Sequence, residues 1–354
     1  MKKWSIALVL LFCGMCLFAQ SLFDLVTTGT PEQVQAAIKA GAKLDDRDKY
    51  GWTPLMYAAF VNENPEVITT LLNAGAKLDD RDGFFGKTPL MYAAEYNENP
   101  DVIMTLLNAG AKLDDRDEDG ETSLMYAASS NENPAVITTL LNAGAKLDDR
   151  DEYGETSLMY AAESNENPAV ITTLLNAGAK LDDRKNEYIK TTPLMYAASS
   201  NENPAVITTL LNAGAKLDDR DEDGETSLMY AASSNENPAV ITTLLNAGAK
   251  LDDRDEDGKT PLMWAASNNE NPAVITTLLN AGAKLNDRDG FFGKTPLMYA
   301  AKYNKNPDVI TTLLNAGADA KAKSNEGKTA FDYAKNNPKI KGTKAYWDLN
   351  NARF

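Results

Sequence analysis

Three stretches of the chain place carboxylates at alternate positions before a glycine. They are Asp115, Asp117, Asp119 and Gly120; Asp219, Asp221, Asp223 and Gly224; and Asp253, Asp255, Asp257 and Gly258. Oxygen ligands at that spacing make the first half of a calcium loop, which a bidentate Glu at the twelfth position must complete. Here the twelfth positions hold Tyr126, Tyr230 and Trp264. Taken in pairs, the same carboxylates are the residue types of glycoside hydrolysis. Each pair recurs along the chain, however, and a repeated surface offers no singular pocket in which two carboxyl pKa values are driven apart. Histidine is absent, and the two cysteines, Cys13 and Cys16, both lie near the amino terminus. Usual zinc sites, Cys–His dyads and Ser–His–Asp triads are thereby excluded. The expectation is a non-catalytic chain with no cofactor, no resident metal and no disulfide in its mature form.

The chain of 354 residues is 43% apolar, as a folded protein should be, and carries a formal net charge of −16. That field repels nucleic acid and anionic lipid and favours basic proteins, polyamines or metal cations. The opening "MKKWSIALVLLFCGMCLFAQ" runs basic, apolar, then small. This is the layout of a secretory signal peptide cleaved after Ala19, and the apolar run is short of the ~20 residues a spanning helix needs. Cleavage there removes Lys2 and Lys3 and takes the formal charge from −16 to −18. A lipoprotein would need a small residue before its modified Cys, whereas Cys13 follows Phe12 and Cys16 follows Met15. The expected location is therefore periplasmic or secreted, in a bacterium, with lipid anchoring the minor alternative and no membrane insertion after cleavage.

What positions all of these side chains is a repeat. Thr53, Thr88, Thr122, Thr156, Thr192, Thr226, Thr260, Thr295 and Thr329 each open the pattern Thr-x-Leu or its terminal variant, at intervals of 34 to 36 residues. In one unit, "TSLMYAASSN" sets Leu124, Met125, Ala127 and Ala128 along one side of a short helix. Asn131 is expected to end it in the left-handed conformation. Asn133-Pro134 reads as an N-cap followed by a first-turn proline, and Val136, Ile137, Leu140 and Leu141 as the stripe of a second helix. Ala143-Gly144 stops that helix, and "AKLDDRDEYGE" is too polar and turn-rich to be helical. Met125-Tyr126 and their equivalents read as core and half-core packing. A single unit cannot bury its apolar face, but stacked copies can, so the repetition itself builds the core.

At "DEDGKTPLMWAA" from Asp255 and "VITTLLNAGA" from Val274 the sequence resembles the ankyrin repeat, over roughly residues 21 to 340. The resemblance implies an all-α chain with short hairpin turns: a solenoid of about ten helix-turn-helix units including caps. The expected division is a signal peptide at 1–19, an N-terminal capping repeat at 20–52, eight full units at 53–328 and a C-terminal capping repeat at 329–354. Thr30 to Gln33 forms a candidate capping box. Tyr346 and Trp347 are expected to cover the last core edge. Two departures from the family pattern stand out. Its His is Met in every full repeat (Met56, Met91, Met125, Met159, Met195, Met229, Met263 and Met298), which substitutes packing for a hydrogen bond. Its Gly-His turn is Asn-Glu-Asn-Pro.

While the core is copied, two windows vary: the pair after Ala-Ala, and the hairpin tip. In the ankyrin family these are the first-helix face and the tips, where partners are usually held. Here they collect Tyr50, Trp52, Phe60, Phe84, Phe85, Tyr96, Tyr153, Tyr188, Phe291, Phe292 and Tyr303, which are the candidate partner-binding residues. Aromatic side chains in such windows are interface anchors; surface drift after duplication is the bland alternative. The expected function is an exported, monomeric scaffold that holds a protein partner, a basic one by charge, on its concave helix face and tips. The second reading is an acidic surface protein whose Asp-rich edge binds cations such as calcium.

Overall fold

From the second unit on, each repeat places a threonine immediately before its first helix. Thr122 is extended (φ −102°, ψ 165°), and its hydroxyl accepts the amide of Met125 at 3.4 Å. The thioether of Met125 in turn accepts the Thr122 amide at 3.4 Å. Thr53–Met56, Thr88–Met91 and Thr192–Met195 repeat this reciprocal cap. The methionine is therefore more than packing: its sulfur does the work of the Glu or Gln of an ordinary capping box. At the amino end, Thr30 and Gln33 form the box in its usual chemistry.

The computed structural model describes residues 21–352, and among these there are twenty helices and no strand. The leader reading over residues 1–19, with Cys13 and Cys16, falls outside the described residues. The first ten helices are α1 (Leu22–Thr28), α2 (Pro31–Lys39), α3 (Pro54–Val61), α4 (Pro65–Asn73), α5 (Pro89–Tyr96), α6 (Pro100–Asn108), α7 (Ser123–Ser130), α8 (Pro134–Asn142), α9 (Ser157–Ser164) and α10 (Pro168–Asn176). The others are α11 (Pro193–Ser200), α12 (Pro204–Asn212), α13 (Ser227–Ser234), α14 (Pro238–Asn246), α15 (Pro261–Asn268), α16 (Pro272–Asn280), α17 (Pro296–Tyr303), α18 (Pro307–Asn315), α19 (Ala330–Ala334) and α20 (Lys344–Ala352). They pair as ten helix-turn-helix units.

Two compact units share this chain: one runs to Ala161 and includes Asn176–Ala179, the other holds Ala162–Leu175 and everything from Lys180. Within the first, α1, α3, α5 and α7 stack as one row and α2, α4, α6 and α8 as another. Within the second, α11, α13, α15, α17 and α19 form one row and α12, α14, α16, α18 and α20 the other. The core lies between the rows of each unit. Leu124, Met125, Ala127, Ala128, Val136, Ile137 and Leu140 are all essentially inaccessible, each large side chain among them worth roughly 1.5–3 kcal/mol of apolar burial. Leu141, expected in the stripe, is only half-buried, because it sits past the contact face.

Asn131 departs from expectation. It is extended (φ −83°, ψ 119°), and no non-glycine residue among those described has a positive φ. Its side chain explains the difference. Nδ2 donates to the carbonyls of Ala94 and Asn97 in the preceding repeat, each at 3.0 Å, and Oδ1 accepts the amide of Asn133 at 3.0 Å. The amide thus satisfies carbonyls that the end of α5 leaves without partners. Asn97, Asn201, Asn235, Asn269, Asn304 and Asn337 make the same backward pair of bonds, and all are buried. The other stop is as expected: Gly144 takes φ 105° after α8.

The hairpins are tied by arginines. Arg47 Nη1 donates to the carbonyls of Gly51 and Arg81, each at 2.6 Å, and Nη2 meets Asp80 at 2.8 Å. Arg116, Arg220 and Arg254 repeat the arrangement one repeat on. At the carboxyl end Tyr346 packs on Phe331 with ring centroids 4.8 Å apart. Trp347, expected to cover the core edge there, is exposed instead, because it lies on the outer side of α20 where no further helix is described.

Candidate functional site

The acidic turns are built to hold their own chain. Asp117 Oδ1 accepts the amides of Asp119 at 3.1 Å and Glu121 at 2.7 Å, while Oδ2 accepts the Tyr126 hydroxyl. Asp221 does the same with Asp223, Glu225 and Tyr230, and Asp255 with Lys259 and the indole N–H of Trp264. Tyr126, Tyr230 and Trp264, which occupy the twelfth loop positions, are thus partners of the middle carboxylate. Asp115 and Asp253 meet Arg81 and Arg220. The row that resembles a calcium loop is a turn-stabilising lattice.

On that lattice the first unit mounts an aromatic site. Asp48 Oδ1 accepts the amides of Tyr50 and Trp52 at 2.8 and 2.9 Å, and Oδ2 accepts the Tyr57 hydroxyl at 2.8 Å. One repeat later Asp82 Oδ1 accepts the amides of Phe84, Phe85 and Gly86 at 3.0, 2.8 and 2.8 Å, and Oδ2 the Tyr92 hydroxyl. The tip backbone of each repeat is therefore fixed to its own first helix. Trp52 bridges the two repeats, its ring 5.0 Å from Tyr57, 5.5 Å from Phe60 and 4.1 Å from Tyr92, and Phe60 meets Tyr96 at 4.6 Å. Tyr50 faces Phe84 at 6.1 Å. These rings enclose a cavity of about 570 Å³ whose remaining walls are Asp82, Phe85 and Lys87.

The charges in this site are already partnered. Burial pushes the Asp82 carboxyl up, but the Tyr92 hydroxyl and the three amides outweigh it and leave it below the usual carboxylate range. Asp48 is likewise held low, its burial overcome by the Trp52 amide, the Tyr57 hydroxyl and the Tyr50 amide. Burial, then the hydrogen bond to Asp48, raises Tyr57 to about 12, and burial with the Glu95 bond raises Tyr96 to about 12. Lys87 Nζ lies 2.7 Å from Glu95 Oε2 and 3.7 Å from the centroid of Tyr126. With ionised groups compensated internally, the rings present an apolar surface. Tyr50, Phe84, Phe85 and Tyr96 remain 46%, 59%, 55% and 49% exposed around it.

Of the sequence-derived candidates, Tyr50, Trp52, Phe60, Phe84, Phe85 and Tyr96 come together here. Tyr153 does not join them; it is exposed, its hydroxyl 3.4 Å from Asp119. In the second unit Tyr188 stands exposed on its own tip. Phe292 and Tyr303 line a smaller cavity of about 310 Å³ with Trp264 and Tyr299, and Phe291 points outward beside Phe292. Tyr57, Tyr92, Asp82 and Lys87 were not anticipated. The tyrosines occupy a position copied in nearly every repeat, so their sequence carried only a packing signal. Asp82 looked like one more turn residue.

The family model for ankyrin repeats (3 copies) matches residues 22–117, 90–185, 158–255, 194–289 and 262–341. The comparison with curated proteins gave no match.

Proposed function

We propose, from the premise that this chain belongs to the ankyrin-repeat family, that it is a non-catalytic scaffold which holds a protein partner at the aromatic site of its first unit. The observation that carries this reading is the cluster of Tyr50, Phe84, Phe85 and Tyr96, exposed side by side around one apolar cavity. Large apolar side chains clustered in water mark contact sites, and aromatic anchors dominate the energy of such contacts. The occupant is an aromatic or aliphatic side chain of the partner, because the charged groups of the site are spent on one another. The formal charge of −16 steers basic partners toward the chain, an effect on association rate more than on affinity. The leader at residues 1–19 would place the scaffold outside the cytoplasm, and N-terminal sequencing of envelope material still starting at Met1 would remove that placement.

The binding test uses a partner captured from the source cells and a measured dissociation constant. Replacing Phe84, Phe85 and Tyr96 together by Ala should weaken binding by about 2–4 kcal/mol. Circular dichroism and melting should hardly change, since these side chains lie outside the buried rows. Ala at Ser199 and Ser200, in the equivalent window of the second unit, should leave the affinity as it is. Full affinity in the triple variant would place the interface elsewhere.

A further inference from the structure

Two repeats share the tip and helix "GFFGKTPLMYAA", at Gly83–Ala94 and Gly290–Ala301, yet they differ in charge at the positions around it. In the first unit, Lys87 is paired with Glu95, and the Tyr126 ring of the next repeat stands over its ammonium with Asp117 on the tyrosine hydroxyl. In the second unit the residues equivalent to Glu95, Asp117 and Glu121 are Lys302, Ser324 and Lys328. Three carboxylates have become two lysines and a serine. Lys294, the counterpart of Lys87, is only 3% exposed. Among the described residues its ammonium has no hydrogen-bond or ion-pair partner; it lies 3.7 Å from the Phe292 centroid and 5.8 Å from that of Tyr333. Lys302 and Lys328 stand 5.7 and 5.8 Å from the same Tyr333 ring.

The carboxylates nearby are engaged elsewhere. Asp289 accepts the amides of its own tip and the Tyr299 hydroxyl, Asp257 meets Lys259 at 2.9 Å, and Asp332 meets Lys335 at 2.8 Å. Glu326 reaches Lys328 at 2.7 Å and, among the described residues, is the one carboxylate bonded within the cluster. Burial and then the neighbouring Lys302 push the Lys294 ammonium below its usual range, the condition of a buried cation short of an anion. Beside it opens the 310 Å³ cavity walled by Trp264, Tyr299 and Tyr303.

We propose that Lys294, Lys302 and Lys328 around the Tyr333 ring form a binding site for an external carboxylate, attached to an apolar or aromatic body that enters the neighbouring cavity. The sister repeat shows the chemistry the position accepts, since there a carboxylate, that of Glu95, fills it from within the chain. The carboxylate comes from a small organic acid or from an acidic side chain of a polypeptide. The site is separate from the aromatic site of the first unit, so either assignment can fail without the other.

Titration calorimetry on the whole chain tests it with 3-phenylpropanoate, a pentaglutamate peptide and inorganic phosphate. At least one carboxylate probe should bind saturably and more tightly than phosphate; the tighter of the two identifies the source. Lys302→Glu restores the pair seen at Lys87 and Glu95, so it should fold, melt no lower than the parent, and lose roughly tenfold or more in affinity. Lys302→Gln should lose less. Three results would overturn the assignment: no saturable binding of either carboxylate up to about 20 mM, phosphate binding as tightly as the carboxylates, or unchanged affinity in Lys302→Glu.

Discussion

A buried asparagine at the end of the first helix of a repeat ties that repeat to the one before it. Asn131 answers two carbonyls of the neighbouring repeat and one amide of its own. Asn131→Ala leaves those carbonyls buried and unanswered and should cost about 2–4 kcal/mol, at ~1–3 kcal/mol per orphaned group. Asn131→Asp should cost no less, because a carboxylate cannot donate. Chemical denaturation monitored by circular dichroism measures both. The residue was visible in the sequence as the end of a helix, but not as a bridge. Its partners lie 34 and 37 positions away, and nothing local distinguishes an asparagine that ends a helix by its own backbone from one that does so through its neighbour.

At the scale of the element, the first-helix starts fall into two chemistries. Pro54, Pro89, Pro193, Pro261 and Pro296 occupy the first helical position in five repeats, while Ser123, Ser157 and Ser227 occupy it in three others. The hydroxyls of those serines are buried with no hydrogen-bond partner among the described residues. Proline at this position loses no intrahelical bond and arrives with its φ already set. Ser123→Pro and Ser227→Pro should therefore each stabilise by about 1 kcal/mol, from the orphaned hydroxyl removed and the freedom withdrawn from the unfolded chain. Thermal melting checks this, and a loss of stability would show that the serine hydroxyl has a partner after all. Elements of this kind were legible from Thr-x-Leu, Asn-Pro and Ala-Gly punctuation alone. The aromatic site was half legible: Phe84, Phe85 and Tyr96 broke the copied pattern and so announced themselves. Tyr57 and Tyr92 kept to it and were hidden by their own regularity, although the tip depends on the Asp82–Tyr92 bond.

Across the whole molecule the dense carboxylates set the response to pH. Burial, then Asp221, Asp255 and Asp223, raise Glu225 from 4.5 to about 7, with Lys259 opposing. The folded state thus holds this proton more firmly than the unfolded chain, so its contribution is complete below about pH 4.5 and is lost as pH rises through 7. Asp332, held near 2 by Lys335 and the Thr329 amide, works in the opposite sense, contributing above 3.8 and fading as pH falls toward 2. Melting temperature should accordingly decline between pH 5 and 7, and Glu225→Gln should flatten that decline; an unchanged slope in the variant would remove Glu225 as its cause. The asparagine rungs carry a further implication, for inheritance rather than stability. Each rung uses the same asparagine amide and reaches back only to the repeat before it, so a duplicated or deleted 34-residue block from the Asn-Glu-Asn-Pro repeats would present its neighbours with the carbonyls they already bind. Slippage between near-identical coding segments would then change the number of links without a misfolded intermediate in its ancestry. The length of the run separating the two Gly-Phe-Phe-Gly repeats becomes a quantity that selection can adjust in whole steps.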